Sequence, residues 1–595
     1  MTTIGMEDDA MKQMLVELAQ GMPIAGQMAD IIREKQTGKY RNLLLHVFSG
    51  IPDEDLVVSV CRELENCCET KLIVGSMSAG EIKDGCVIER GILISAILFE
   101  DSDVSILRFD DVKGSEVATG IRIREALDAI PDLQAAEMLF PGTEMDTEHM
   151  YAEISRCRKG IRIFGGYPGG HKLNSPEHFI FDASGAMYNS MLIVTYAGKN
   201  LYFDMDKSIG WVALGMPFKV TRAEGKHLIE LDGRPAAEVY EKFLQIDRKE
   251  HDNAEEAFEF PLMARQNGED RLRSVVHIEE DGSFWLHGFV TEGMDINLTY
   301  GDPSNIVEKV NERLEALRRF KPQAVLLYSC VVRKTFWEDF VDMEMAPFAE
   351  MCSTSGFHTW GEILRNERTG ELGENNITML SIGMREGEAP GDELPMIRVD
   401  DTVLQGQASV LRRLTRLVYT TMSELQRAHN RLKVMAERDA LTGLYNRGKI
   451  EQLINDALDG TGQVSLVMLD LDFFKRINDN HGHDVGDMTL KEIAGIMNTA
   501  VIGYDGAEIG RWGGEEFFIM LPGMDEEKVM AFSERLRRAV DRHIFPHIGH
   551  LTISQGVITV SAGGSLDRKA IYKAVDDALY RAKEDGRNTI KQATL

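Results

Sequence analysis

At 595 residues the chain is long enough for about three or four domains of ordinary size, each able to bury its own core. Composition is that of a soluble globular protein, 43% hydrophobic and 27% charged, and a net charge of −30 argues against non-specific binding to nucleic acid or to an anionic membrane. No apolar run approaches the roughly 18 residues that a membrane span needs. The longest, Gly91–Phe99 and Ala324–Val332, have the length of buried strands. All seven cysteines precede residue 353, an odd and scattered set with no Cys-x-x-Cys spacing, which fits reduced thiols better than a disulfide framework. Glu7, Asp8 and Asp9 carry the wrong charge for a secretory leader, so a cytoplasmic protein is expected.

In chain order, residues 1–40 read as helical, with Met11, Met14, Leu15 and Leu18 at helical spacing. Residues 41–200 alternate short apolar runs with helical stretches. Leu43–Phe48 and Leu72–Gly75 are expected strands on either side of a helix near Asp53–Leu64, an α/β layer. Residues 201–400 form a second such region, with Ala324–Val332 and Asn376–Ile382 as strands. The sequence shows no internal repeat. Residues 401–438 differ in kind. Leu411, Val418, Leu425 and Leu432 alternate with Leu414, Thr421, Ala428 and Met435 at three-four spacing, and neither Gly nor Pro occurs from Gln407 onward. That pattern predicts a signalling helix pairing with a second copy as a parallel coiled coil; the alternative is one long helix packed on its own domain.

Residues 439–595 read as a compact α/β unit. An apolar strand from Val464 ends at Asp470, a helix starts near Phe473, and another covers Gly486–Thr499. The polar stretch Asn478–Asp487 between them reads as a glycine-punctuated loop. Gly513 and Gly514 then form a tight turn before the strand-like Phe517–Leu521, with Glu515 and Glu516 standing on it. Carboxylates beside glycines that lack a blocking side chain suit a polyphosphate and its metal ions. A final helix is expected over Arg568–Asp585, capped by Gly586, with Lys583 and Arg587 one turn apart near its end.

These motifs, in this order, resemble the GGDEF domain of diguanylate cyclases. The likeness runs from Asp439-Ala-Leu-Thr-Gly-Leu-Tyr-Asn-Arg447 through Asp470-Leu-Asp-Phe-Phe-Lys475 and Gly482-His-Asp-Val-Gly-Asp487 to Gly513-Gly-Glu-Glu-Phe517 and Gly586-Arg-Asn588. The resemblance implies an α+β domain like the palm of nucleotide cyclases and polymerases. It also implies condensation of two GTP into cyclic di-GMP and two pyrophosphates with magnesium or manganese. By resemblance, Asp470, Glu515 and the Leu471 carbonyl hold the metal, and Glu515 is the base for the ribose 3′-hydroxyl. Asn478 and Asp487 read guanine, and His483 lies in the nucleotide-contacting loop. Lys475 stabilises the transition state, while Lys583 and Arg587 clamp phosphate. Phe473, Phe474, Gly513 and Gly514 frame the phosphates. The family's inhibitory Arg-x-x-Asp is replaced by Tyr504-Asp-Gly-Ala507, so no product-inhibition site is expected there. One site holds one GTP, so turnover requires a homodimer.

Residues 40–385 more distantly resemble the FIST sensory domain, on Ile73–Ile82, Ile163–Gly166, Leu231–Ala236, Tyr328–Arg333 and Gly356–Ile363. That likeness implies an unidentified small-molecule ligand. Gly165-Gly166 and Gly356–Glu362 suit either a pocket floor with Arg333 or Glu362 as anchors, or plain structural turns. The expected architecture is therefore an α/β multidomain chain: a helical segment 1–40, FIST parts 41–200 and 201–400, a coiled-coil helix 401–438, and a GGDEF domain 439–595. The alternative function is a receptor whose GGDEF domain binds GTP or a partner without turnover.

Overall fold

The computed structural model describes residues 9–19, 21–142, 145–170, 178–244, 257, 260–266, 269–389, 394–400, 407–563 and 567–594. It contains two compact units, Met1–Ser423 and Glu424–Leu595. The helix Gln407–Glu437 runs across the boundary between them.

In the first unit, residues 11–17 are not helical. Met11–Glu17 is a strand paired antiparallel with Ile92–Phe99, and Met11 is fully buried. A seven-residue apolar segment fits either period, and here an open sheet edge captured it. Helices follow only at Ile24–Gln27 and Ala29–Gln36.

Three six-stranded sheets dominate this unit, each built around one parallel pair. The pairs are Asn42–Ser49 with Ile73–Met77, Leu133–Leu139 with Arg162–Gly166, and Ala324–Cys330 with Thr354–Thr359. Each pair is joined through helix: Glu54–Cys68 in the first, Thr147–Ile154 in the second, and a series of short turns opening with Val331–Trp337 in the third. The strand expected to reach Val332 therefore ends at Cys330. A strand–helix–strand unit thus recurs three times although the sequence shows no repeat, because the recurrence lies in the hydrogen-bonding pattern and not in residue identity. The inner faces share a core that includes Phe48, Phe164, Tyr328 and Phe357.

At its centre Glu137 is fully buried and accepts hydrogen bonds from His46 Nε2 at 2.9 Å and from the Tyr196 and Tyr328 hydroxyls at 2.6 Å each. Burial pushes its pKa up, but His46 and the two hydroxyls outweigh that and hold it below the ordinary carboxylate range. An eight-stranded sheet covering residues 211–301 completes the unit.

Of the two readings the glycine-bearing segments allowed, pocket floor or structural turns, Gly165 and Gly356 fit the structural one, as close-packing positions. A Cβ on Gly165 or Gly356 would collide with the backbone of Met138 or Leu327 on the partner strand. Arg333 is buried in an ion pair with Glu344, and Glu362 is buried beneath the Thr359 and Thr378 hydroxyls. Cys330 and Cys352 are free thiols whose pKa burial raises, so neither is poised for redox chemistry.

The second unit is a five-stranded sheet in the order Glu508–Gly513, Glu516–Pro522, Gly462–Leu471, Ile553–Ala562, Ile590–Gln592. The central strand is buried from Val464 to Leu471, as its apolar run requires when both faces are covered. Helices His483–Ala500 and Glu526–Arg542 contribute to the core on one face; Arg447–Asp459 and Arg568–Glu584 contribute to the core on the other. Asn446, Asp525 and Asp567 cap three of these helices through their side chains.

Candidate active site

Asp470 stands near the end of the central strand, directly opposite Glu516 on one neighbour and Ser554 on the other. Residues opposed in antiparallel strands share a face, so Asp470 and Glu516 project together. Lys583 reaches in from the last helix and sets Nζ 2.7 Å from Asp470 Oδ2. Burial raises the Asp470 pKa to about 6, with Glu515 and Glu516 adding to the rise and Lys583 opposing it. Glu516 is raised as well, by burial first. The site therefore concentrates negative charge that one lysine only partly offsets. Sequence reading placed Glu516 on the turn beside Glu515 as a carboxylate suited to a metal ion, but the residue roles taken from the resemblance passed it over.

The Gly513–Gly514 turn is open: a Cβ at either position would meet nothing within 4 Å, and Gly514 has φ +48°. Its shape is held from one side by Arg511, which donates to the Gly514 carbonyl at 3.0 Å from Nε and 2.7 Å from Nη2. The same guanidinium reaches Asp439 at 3.1 Å, and Asp439 accepts from the Thr442 amide and hydroxyl. The opening Asp-Ala-Leu-Thr motif thus serves to brace the turn, a role for Arg511 and Asp439 that the sequence reading missed. The Leu471 amide donates to the Glu515 carbonyl at 3.3 Å, which ties the turn to the end of the central strand.

Asp472 was likewise passed over. It is buried and accepts from the Thr552 and Ser554 hydroxyls and from the Asn588 amide, at 2.7, 2.6 and 3.0 Å. Phe473 follows in the left-handed region with φ +60°, exposed, its ring flanked by Arg476 at 4.5 Å and Arg587 at 4.3 Å. Phe474 turns into the core, so only its backbone is left to face a ligand. Arg587 lies beyond Gly586, past the end of the helix Arg568–Glu584, and so does not stack one turn above Lys583 as the sequence suggested. Lys583 goes to Asp470 and Arg587 to Phe473.

The stretch read as a polar loop is helical. Phe474–His481 and His483–Ala500 meet at a break where Gly482 has φ +85°. Lys475 is exposed on the first of these helices, and His483 and Asp487 are exposed on the second, four residues apart and hence on one face. Asn478 packs against Gly486: a Cβ there would stand well under 3 Å from Asn478 Oδ1. That contact brings Asn478 beside the turn that carries Asp487. The loop reading failed because polar residues on a short helix and on the exposed first turn of the next leave no apolar period to detect.

No group of three or more His, Cys, Asp or Glu side chains is gathered as a metal cage among the described residues. The donor set nevertheless fits a hard divalent cation, because Asp470, Glu515 and Glu516 offer only oxygen and carry charge that lacks a full counterion.

Residues 436–589 match the family model described as "Diguanylate cyclase, GGDEF domain", residues 44–234 the "FIST N domain", and residues 236–365 the "FIST C domain". The diguanylate cyclase DgcM of Escherichia coli (strain K12) is 35% identical over 176 residues, covering 29% of this chain and 42% of the relative. The response regulator PleD of Caulobacter vibrioides (strain NA1000 / CB15N) is 37% identical over 166 residues, covering 26% of this chain and 36% of the relative. The chain thus spans less than half the length of either. A crystal structure of the coiled coil and GGDEF domain of DgcB from Caulobacter crescentus, in complex with c-di-GMP, aligns at 26% identity over 31% of this chain and all of that one, with a TM-score of 0.29. The chain carries a FIST region in two parts and a C-terminal GGDEF domain.

Proposed function

We propose that this chain is a diguanylate cyclase that joins two GTP into cyclic di-GMP, releasing two pyrophosphates, under control of a ligand held by the FIST region. The observation that carries this reading is the pairing of Asp470 with Glu516 beside Lys583, at the mouth of an open Gly513–Gly514 turn. Polyphosphate can approach bare backbone there, and three carboxylates stand ready for a counter-charge.

Asp487 accepts from the guanine N1–H and amino group, and the Asn478 amide donates to O6, so adenine would leave Asp487 without a donor. Glu515 takes the proton of the ribose 3′-hydroxyl. The freed oxygen attacks the α-phosphorus of the facing GTP, and the bond to pyrophosphate breaks. Lys475 and Arg587 stabilise the charge that develops on the phosphate oxygens, and Lys583 leaves Asp470 for phosphate once the carboxylates are otherwise balanced. Magnesium or manganese, held by Asp470, Glu515 and the Leu471 carbonyl, would supply Lewis-acid charge at the reacting phosphate.

Two such sites must face each other. On the Gln407–Glu437 helix, Val418, Leu425, Leu432 and Met435 are all exposed in the single chain, which supports pairing with a second copy along that stripe. Leu411 and Leu414 lie outside the described side chains.

The test is to incubate the purified protein with GTP and magnesium and follow cyclic di-GMP by chromatography, with Glu515→Ala as control. Product from the native protein alone supports the proposal. Turnover retained in Glu515→Ala sinks the role given to that carboxylate. GTP binding without product in any metal favours the receptor reading.

A further inference from the structure

Strained backbone gathers at one corner of the second unit. Four non-glycine residues there have positive φ among those described, and three of them, Phe473, Arg587 and Asn588 at +60°, +67° and +45°, stand together. Residues with a side chain rarely adopt that region, and such conformations persist only where surrounding contacts over-determine them. Here Asp472 accepts the Asn588 amide at 3.0 Å while the Thr552 and Ser554 hydroxyls hold the same carboxylate. Arg537 donates to Asn588 Oδ1 at 2.7 Å, and the Arg587 amide donates to the Ala582 carbonyl at 3.1 Å. The segment just past Asp470 is thereby joined to the chain that leaves the last helix.

What this strained corner presents is an aromatic ring with two cations on it. Phe473 is 49% exposed, unusual for a phenylalanine, and the guanidinium carbons of Arg476 and Arg587 lie 4.5 and 4.3 Å from its centroid. Among the described residues neither guanidinium has an ion pair or a side-chain hydrogen bond. For Arg476 the helix Phe474–His481 did not force this. Asp479 stands three residues along and Asn480 four, the spacing at which an arginine pairs on a helix. The guanidinium turns back to Phe473 instead.

The carboxylates of the site do not claim these arginines. Asp470 is paired with Lys583, Asp472 is held by its three donors, and Glu515 and Glu516 stand on the glycine turn. A guanidinium lying over a ring keeps its N–H groups for a second partner. Both guanidinium carbons lie within 4.5 Å of one centroid, so they stand no more than twice that distance apart, within reach of a single polyphosphate.

We propose that Arg476, an arginine no motif marks, is a substrate-binding residue that grips, together with Arg587, the two terminal phosphates of GTP that depart as pyrophosphate. Phe473 is the positioning residue that aims both guanidiniums. Two planar forks match the paired oxygens of a diphosphate better than two ammonium groups would. When the bond from the α-phosphorus to the bridging oxygen breaks, that oxygen keeps the electron pair, and the added charge falls on the diphosphate the two arginines hold. This inference rests on the GTP reading proposed above and extends it to the leaving group.

The test uses the full chain and two nucleotides. 3′-Deoxy-GTP lacks the attacking hydroxyl and so cannot turn over, and GMP lacks the two terminal phosphates. Calorimetric titrations with magnesium present give both affinities. In Arg476→Ala the affinity for 3′-deoxy-GTP should fall about tenfold, and Arg476→Lys, which keeps the charge but loses the fork, should recover only part of it. Affinity for GMP should stay within about twofold of native, and the unfolding midpoint should not move, because Arg476 is exposed. Phe473→Leu should show the same selective loss, and adding Arg476→Ala to it should cost less than in the native background. Unchanged 3′-deoxy-GTP affinity in Arg476→Ala overturns the proposal, as does an equal loss for GMP. A native chain that binds neither nucleotide refutes the GTP reading itself and this inference with it. A native chain that binds 3′-deoxy-GTP but forms no cyclic product counts against turnover alone, and the same titrations still decide the role of Arg476.

Discussion

Gly486→Ala separates the fold of the GGDEF domain from the guanine contact proposed for Asn478. Gly486 is the fourth residue of the helix His483–Ala500, and its φ is not positive, so alanine suits the backbone and should gain about 1 kcal/mol of helix stability. The new methyl group, however, would stand well under 3 Å from Asn478 Oδ1, and Phe474 closes the space behind it at 3.3 Å. The cheapest relief is for the Asn478 side chain to swing away, which offsets much of the helix gain. The thermal midpoint should therefore change little. What is lost is the amide proposed to face guanine. A buried polar group left without its partner costs about 1–3 kcal/mol, which corresponds to about a 5- to 150-fold rise in KM for GTP. Initial rates against GTP concentration, with unfolding curves on the same preparations, measure both effects. In an Asn478→Ala background the Gly486→Ala change should add nothing further to KM. An unchanged KM in the single variant, or an added loss in the double one, would refute the assignment of Asn478.

Three further outcomes follow from the buried charges. Glu137→Ala removes the acceptor shared by His46, Tyr196 and Tyr328 and should destabilise the first unit by about 3–5 kcal/mol in urea unfolding, with Glu137→Gln milder. Asp472→Ala strands two hydroxyls and the Asn588 amide, so the C-terminal unit should lose about 2–4 kcal/mol, which denaturant curves on that transition will show. Burial lifts Glu362 and Glu81 to about 8 from an ordinary 4.5. An acid raised on folding favours the folded state only while protonated, so stability falls as pH climbs from 4.5 and levels off above about 8. The unfolding midpoint of the first unit should therefore drop between pH 6.5 and pH 9, and Glu362→Gln, which carries no titrating proton, should shrink that drop.

The GGDEF domain was legible from sequence because its information is local. The strand into Asp470, the glycine turn and the capped last helix each combine a period with a breaker residue inside a dozen positions. The uninterrupted helix from Gln407 was legible for the same reason. Met11–Glu17, the polar helices around Gly482 and the threefold recurrence of strand–helix–strand units were not, since each depends on what distant chain packs against it.

Sequence alone marked the residues proposed to carry the chemistry: Asp470, Glu515, Lys583 and Asn478 were named without coordinates. Tertiary structure decided how those groups are used. It set Glu516 opposite Asp470, spent Lys583 on that carboxylate, sent Arg587 to the Phe473 ring, and braced the glycine turn with Arg511 and Asp439. It also turned the glycines near Arg333 into packing devices while bringing Arg476, which no motif marked, to the Phe473 ring. Local patterns specify elements through backbone periodicity and capping, whereas the partner of a charge is fixed only when strands and helices far apart in the chain are brought within hydrogen-bonding reach.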